Sequence, residues 1–238
     1  MTRNTPAPTR LEAVASLVPP GSRVADVGTG HGKLPRRLLA SGRASHCIAS
    51  ERSRALRDRI GPRLRGPAAQ RLDLRVGDGL AVLGADDRVD VLVLSGMGAR
   101  RILRILETPR LRLLGIRRLI LQPQCEIPLV RRWLARNGLP IVDERLVRER
   151  GRFYVVLAAE WSAPTRPSAY GGLGAEELLE AGPCLVRSPD PVVRLYWSER
   201  LDRMERILRR APSGPGSAAA ARGRALALRV LGSLPGDV

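Results

Sequence analysis

Three carboxylates, Asp26, Glu51 and Asp78, each stand at the end of a short apolar run, and each has a small or turn-forming neighbour. Asp26 precedes the turn Gly28-Thr29-Gly30-His31-Gly32, Glu51 follows Gly28 by 23 residues, and Asp78 lies between Gly77 and Gly79. At such positions the first acid can accept from an amino group, the second from a ribose diol, and the third from an adenine amino group. Gly28 and Gly30 allow a ligand close to the backbone, and the helix behind them offers unpaired N–H groups. Two further runs end in Ser95-Gly96-Met97-Gly98 and Gln122-Pro123-Gln124, where an acceptor base would meet its donor. The candidate cofactor-binding set is therefore Asp26, Gly28, Gly30, Glu51, Asp78, Gly79, Ser95 and Gly96. His31, Ser95 and Met97 are the candidate catalytic residues, and Thr29, His31 and Lys33 are expected to face the acceptor. A Gly-rich turn alone is equally compatible with a dinucleotide, with S-adenosylmethionine or with a plain corner. Three acids at the ends of three successive strands favour an adenosyl ligand.

This reading requires all those strand ends to share one edge of a sheet. A capping box, Thr9 with Glu12, opens a helix over 9–17 that Pro19-Pro20-Gly21 ends. Strands are expected at 23–27, 46–50, 72–76, 89–94 and 118–121, alternating with helices at 34–40, 53–64, 99–106 and 127–136. The apolar run 89–94 suits a strand buried on both faces. Runs 140–147 and 153–159 are joined by Arg148-Glu149-Arg150-Gly151, a hairpin connection and not a helical crossover. Alternating strand and helix followed by a hairpin describes an α/β Rossmann-like class I methyltransferase fold: a mostly parallel seven-stranded sheet with a C-terminal antiparallel hairpin. Such folds bind ligands at the carboxyl edge.

Beyond residue 160 the composition shifts, giving a division into a cofactor-binding domain, 1–160, and a linker with a small helical C-terminal domain, 161–238. A short acidic helix is expected at 175–181, and Asp190-Pro191 starts a long one to 210. Val193, Trp197, Leu201, Met204 and Leu208 form its packing seam. A final helix is expected over 218–231.

The net charge of +18 locates a partner. Residues 99–153 carry 14 Arg against 5 acids and 187–229 carry 10 against 4, stripes that suit a polyanion. Arg in place of Lys reflects genomic bias, since Lys33 is the lone Lys, but bias does not account for the excess over acids. No segment pairs a basic face with a strongly apolar, aromatic one, so nucleic acid stands ahead of a membrane surface. Cys47, Cys125 and Cys184 lie far apart and read as small core residues, and no metal site is expected. The first residues lack a signal-peptide pattern and no run is long enough to span a bilayer, so a cytoplasmic protein is expected; a monomer is expected as well.

The segments RLEAVASLVP, VADVGTGHGKLP, ASE, GDGLAVL, SGMGA, LILQPQ and NGLPIVDERLVRERGRFYVVLAAE, in this order, resemble the TrmK family of bacterial tRNA adenine-N1 methyltransferases. The similarity runs over about 10–160 and continues weakly in Ala181-Gly182-Pro183-Cys184-Leu185 and the long helix. It implies S-adenosylmethionine as methyl donor and a D-arm adenosine of tRNA, of the adenine-22 type, as acceptor. The tRNA would be held by the Arg-rich helices and the C-terminal domain. Against the family's GSDHAYLP pattern, Gly30 replaces Asp and Lys33 replaces an aromatic residue. Ala99 follows GMG in place of Gly, and Gln124 follows LQP in place of Asn. These departures leave open a methyltransferase-like RNA-binding protein with lost or altered turnover. A small-molecule methyltransferase is disfavoured by the charge.

Overall fold

The structure is a computed structural model that describes residues 8–53, 70–161, 171–211 and 213–235. The chain divides into two compact units, residues 1–164 and 165–238.

In the first unit the order of described elements is α1 (Arg10–Ser16), β1 (Ser22–Val27), α2 (Lys33–Ala40), β2 (Ala44–Glu51), β3 (Leu72–Val76), β4 (Val91–Met97), α3 (Ala99–Leu106), α4 (Arg110–Leu113), β5 (Arg118–Pro123), α5 (Ile127–Arg136), β6 (Ile141–Glu149) and β7 (Arg152–Glu160). The seven strands form one sheet in the order β3-β2-β1-β4-β5-β7-β6. Strands β1 to β5 pair in parallel, while β7 runs antiparallel to both β5 and β6. The chain leaves β1 for β2 on one side and returns to place β4 on the other. This switch point lies between β1 and β4, where the carboxyl ends splay to leave a crevice.

The expected fold class is the observed one, and most elements lie within two residues of their expected bounds. Helix α1 begins where its capping box requires: Glu12 N–H donates to Thr9 Oγ1 at 3.3 Å, and Thr9 N–H to Glu12 Oε2 at 2.7 Å. The Arg37 guanidinium, 2.7 Å from Glu12, holds that carboxyl down at about 2, helped by the Thr9 N–H. Val91, Leu92, Val93 and Leu94 are at most 2% exposed, as a strand covered on both faces demands. One face carries Val14, Leu17, Leu34, Leu38, Val93, Ile120 and Val156 in a single cluster with α1 and α2. Alternation turns Leu92, Leu94, Leu119 and Leu121 to the other face, where α3 packs on β4 and β5.

The largest departure is β4, expected to stop at Leu94. It runs on through Ser95-Gly96-Met97, because Ser95 and Met97 pair with Gln122 and Pro123 across a bulge. The helix expected at 53–64 falls, from residue 54 onward, outside the described residues. Cys47 is fully buried, as expected, whereas Cys125 is exposed on the loop after β5 and Cys184 is only partly covered.

The second unit contains α6 (Ala175–Ala181), α7 (Pro191–Arg210) and α8 (Pro215–Ser233). Asp190 caps α7 by accepting from Val192 N–H at 3.0 Å, and Pro191 occupies the first helical position. Val193 and Trp197 are buried, and α8 packs along α7. At Gly223 the two helices come so close that an added Cβ would lie 2.9 Å from Met204 Sδ. This packing explains why α8 is a full 19-residue helix, longer than its Gly- and Ser-containing sequence suggests. Glu177 of α6 pairs with Arg229 of α8 at 2.9 Å.

Candidate active site

The glycine turn is built by three positive φ angles, 78° at Gly28, 64° at Gly30 and 65° at Gly32, which L side chains rarely adopt. Gly28 and Thr29 N–H both donate to Ser50 O, at 2.9 and 3.0 Å, fastening the turn to the end of β2. Gly28 faces Met97 across the switch point, and a Cβ on it would come within 3.0 Å of Met97 Cε. Gly30 N–H donates to Glu51 Oε2 at 3.3 Å, while the other carboxylate oxygen accepts from Arg52 N–H at 2.9 Å. Glu51 therefore holds the turn and keeps lone pairs for a ligand.

Asp26, at 2% exposure, lies behind this turn. Burial pushes its carboxyl up to about 6; the Thr29 hydroxyl pulls it down, and the charge of Glu51 adds to the rise. Thr29 Oγ1 lies close enough to lower the Asp26 carboxyl yet short of a formed hydrogen bond, and Ser50 Oγ, on the opposite strand face from Asp26's neighbour Ala49, is likewise buried and unpartnered. Thr29 is thus turned inward, whereas His31 and Lys33 are exposed on the outer side of the turn.

Five of the residues singled out from the sequence, Gly28, Glu51, Asp78, Gly79 and Met97, line one narrow cleft at the carboxyl edge. Val27, Arg52, Gly77, Arg101 and Ile105 complete it and carried no such mark. Gly77 had a signal in its Gly-Asp-Gly setting: a Cβ there would lie 2.4 Å from Val82 Cγ1. Arg52 approaches Asp78 at 3.7 Å with both side chains mostly exposed, a pair too solvated to lock either one. Asp26, Gly30 and His31 adjoin this cleft through the turn without lining it, and Ser95 and Gly96 sit at the end of β4.

Gln122 organises that end. It is fully buried, and its Oε1 accepts both from Gly96 N–H at 3.1 Å and from Arg10 Nη1 at 2.8 Å. Its amide nitrogen donates to Pro123 O at 3.0 Å, which fixes the orientation of the side chain. The Arg10 guanidinium lies over the Tyr154 ring at 5.3 Å, and Arg10 N–H donates to Glu149 Oε2 at 3.1 Å. One arginine on α1 thereby ties together β4, β5 and the hairpin. Sequence reading missed Arg10 and Tyr154, because positions so far apart in the chain give no local pattern.

The family model described as TrmK, tRNA (adenine(22)-N(1))-methyltransferase, matches residues 24–228, which include the turn, the cleft and most of the helical unit. The chain belongs to the TrmK family. It is 33% identical over 205 residues to the tRNA (adenine(22)-N(1))-methyltransferase of Bacillus subtilis, covering 83% of this chain and 82% of that protein. The fold is similar to a Streptococcus pneumoniae protein solved in complex with S-adenosyl-L-methionine, with a TM-score of 0.79, 30% identity, and 95% and 100% of the two chains covered. It is also similar to the crystal structure of the B. subtilis m1A22 tRNA methyltransferase TrmK, with a TM-score of 0.78, 28% identity, and 96% and 100% covered.

The residues of this TrmK member suit the sulfonium cofactor of the family. Gly28 and Gly79 leave the cleft walls open, carboxylates stand at or behind it, and the unpartnered Thr29 hydroxyl lies beside Asp26. Gly30, where the family pattern has Asp, has nothing within 4 Å of a built Cβ, and Gln124 is exposed with its N–H on Met97 O at 3.0 Å. Among the described residues, no three His, Cys, Asp or Glu side chains are grouped to hold a metal ion. No described helix is long and apolar enough to cross a membrane.

Proposed function

We propose that this protein methylates N1 of adenosine 22 in the D-arm of tRNA, with S-adenosylmethionine as donor, in the cytoplasm. The observation that carries this reading is the convergence of Gly28, Glu51, Asp78, Gly79 and Met97 on one cleft at the switch point of a TrmK-family chain. The cofactor supplies an electrophilic methyl group on a sulfonium. Glu51 receives the ribose hydroxyls, Asp78 with Gly79 receives the adenine edge, and Asp26 behind the turn offers negative charge to the methionyl ammonium. Gly28 and Gly30 let the ligand approach the backbone.

Ser95, Gly96 and Met97 form the floor on which the target base lies, and the Gln122 bridge keeps that floor rigid. In-line attack by the adenine N1 lone pair needs orientation more than acid or base, and orientation supplies roughly 7 to 11 kcal/mol in the best cases. His31, exposed on the turn, is the candidate to take up a proton from the methylated cation. N1 lies on the pairing edge, so the base is presented unpaired or flipped at a cost of a few kcal/mol, which phosphate contacts from the Arg-rich segments and the helical unit offset. We take the acting form to be a monomer without a metal ion.

The test is nucleoside mass spectrometry of an unmodified tRNA transcript incubated with the protein and S-adenosylmethionine. One N1-methyladenosine per tRNA is expected, abolished when adenosine 22 is replaced. Cofactor binding with no methylation of the transcript would refute the proposal.

A further inference from the structure

We propose that the tip of the β6–β7 hairpin is a phosphate clamp on the methyltransferase unit itself, gripping the RNA strand that carries the target base. The proposal rests on the reading of the cleft as the methyl-transfer site.

Three observations place it there. The first is position. Strand β5 ends at Pro123, level with Met97, and its last rung with β7 joins Leu121 to Leu157. Carrying that register forward sets Pro123 level with Val155, so the terminal Glu149–Arg152 rung stands three residues further, about 10 Å beyond the edge at ~3.4 Å per residue. Sideways, β7 is two strands from β4, again roughly 10 Å. The tip therefore overhangs the acceptor side of the cleft within the reach of backbone flanking a bound base.

The second is strain. Arg150 has φ 50° and Gly151 φ 74°, the two positive angles of a tight hairpin turn. Asn or Gly fills the first position without cost, whereas a long L side chain is disfavoured there. A costly arginine at the exposed apex points to a use for its charge.

The third is charge. Arg150 and Arg152 are exposed and have no acidic partner among the described residues. The nearby acid, Glu149, has one oxygen taken by Arg10 N–H, and Arg148 stacks on Phe153 at 5.4 Å. Through Arg10 the overhang is anchored to Gln122 and to Tyr154, so the clamp is presented rigidly.

The test uses the full chain with Arg150→Asn and Arg152→Gln together. Asn followed by Gly is the preferred pair for such a turn, so the variant keeps or improves hairpin stability while removing two charges. The control removes two exposed arginines at the opposite edge and outside both Arg-rich stretches, Arg71→Gln with Arg88→Asn. Binding of unmodified tRNA transcript is titrated across salt, alongside steady-state methylation and calorimetry of S-adenosylmethionine. The hairpin variant should bind tRNA about ten-fold more weakly, with a salt slope shallower by ~1.4 to 1.8 for two lost phosphate contacts. KM for tRNA should rise in step, while kcat and cofactor affinity should stay within about two-fold. A second variant, Arg150→Lys with Arg152→Lys, keeps both charges and should retain the wild-type slope. A wild type that methylates tRNA while the hairpin variant keeps its Kd and slope, or loses no more than the control, overturns the clamp alone. A wild type that neither binds nor methylates tRNA overturns the functional reading and the clamp with it.

Discussion

Asp26 is the residue whose chemistry depends most on where folding puts it. Its carboxyl, raised to about 6 from 3.8 by burial, is mainly protonated in the ligand-free fold only below about pH 6. Its contribution to stability is therefore fully present below about 4 and is lost as pH rises through 6, worth about 3 kcal/mol at most. A cation bound nearby reverses the preference. Binding of S-adenosylmethionine below pH 6 should therefore release a proton, and affinity should fall by up to about ten-fold per unit as pH drops. Calorimetry in two buffers of different ionisation enthalpy measures that proton, and Asp26→Asn should abolish it. Unchanged proton release in Asp26→Asn would show that another group carries the linkage. The acid itself was legible in the sequence from its place before a Gly-rich turn. Its altered acidity was not, because that depends first on the burial the fold imposes and then on the Thr29 and Glu51 brought beside it.

At the scale of elements, the helical pair α7 and α8 depends on close approach at one point. Gly223→Leu should drive the helices apart and cost about 1 to 3 kcal/mol. Gly223→Ala should be nearly neutral, since the contacting Met204 Sδ is near the end of a flexible side chain and Ala favours helix. Thermal unfolding of the full chain separates them: a midpoint several degrees lower for Leu only is expected. Equal losses would mean that the contact is rigid. The same pair shows how far element reading goes. Asp190-Pro191 announced the start of α7 through local capping chemistry, whereas α8, built from Ala, Gly and Arg, gains its length from packing on α7. Strand β4 gives the parallel case, since its last residues are strand only because β5 supplies partners.

For the whole molecule, a net charge of +18 makes tRNA binding a counterion-release process. Raising salt from 50 to 200 mM should weaken tRNA binding by roughly 10³-fold if at least six phosphates are contacted. Affinity for S-adenosylmethionine should change far less, because the cleft sets Glu51 and Asp78 against Arg52 and Arg101. Parallel titrations of both ligands check this, and a flat tRNA response would exclude the arginines as phosphate contacts. The order of elements, the α/β class, the acids at three strand ends and the excess of basic charge could all be read from the chain. These features are written in local periodicity, turn chemistry and composition, which act over a few residues. That Gly28 abuts Met97, that Arg10 reaches Gln122 and that the hairpin tip overhangs the cleft emerged only from the folded molecule. Those relations join positions distant in the chain, and only strand order and register bring them within reach of one another.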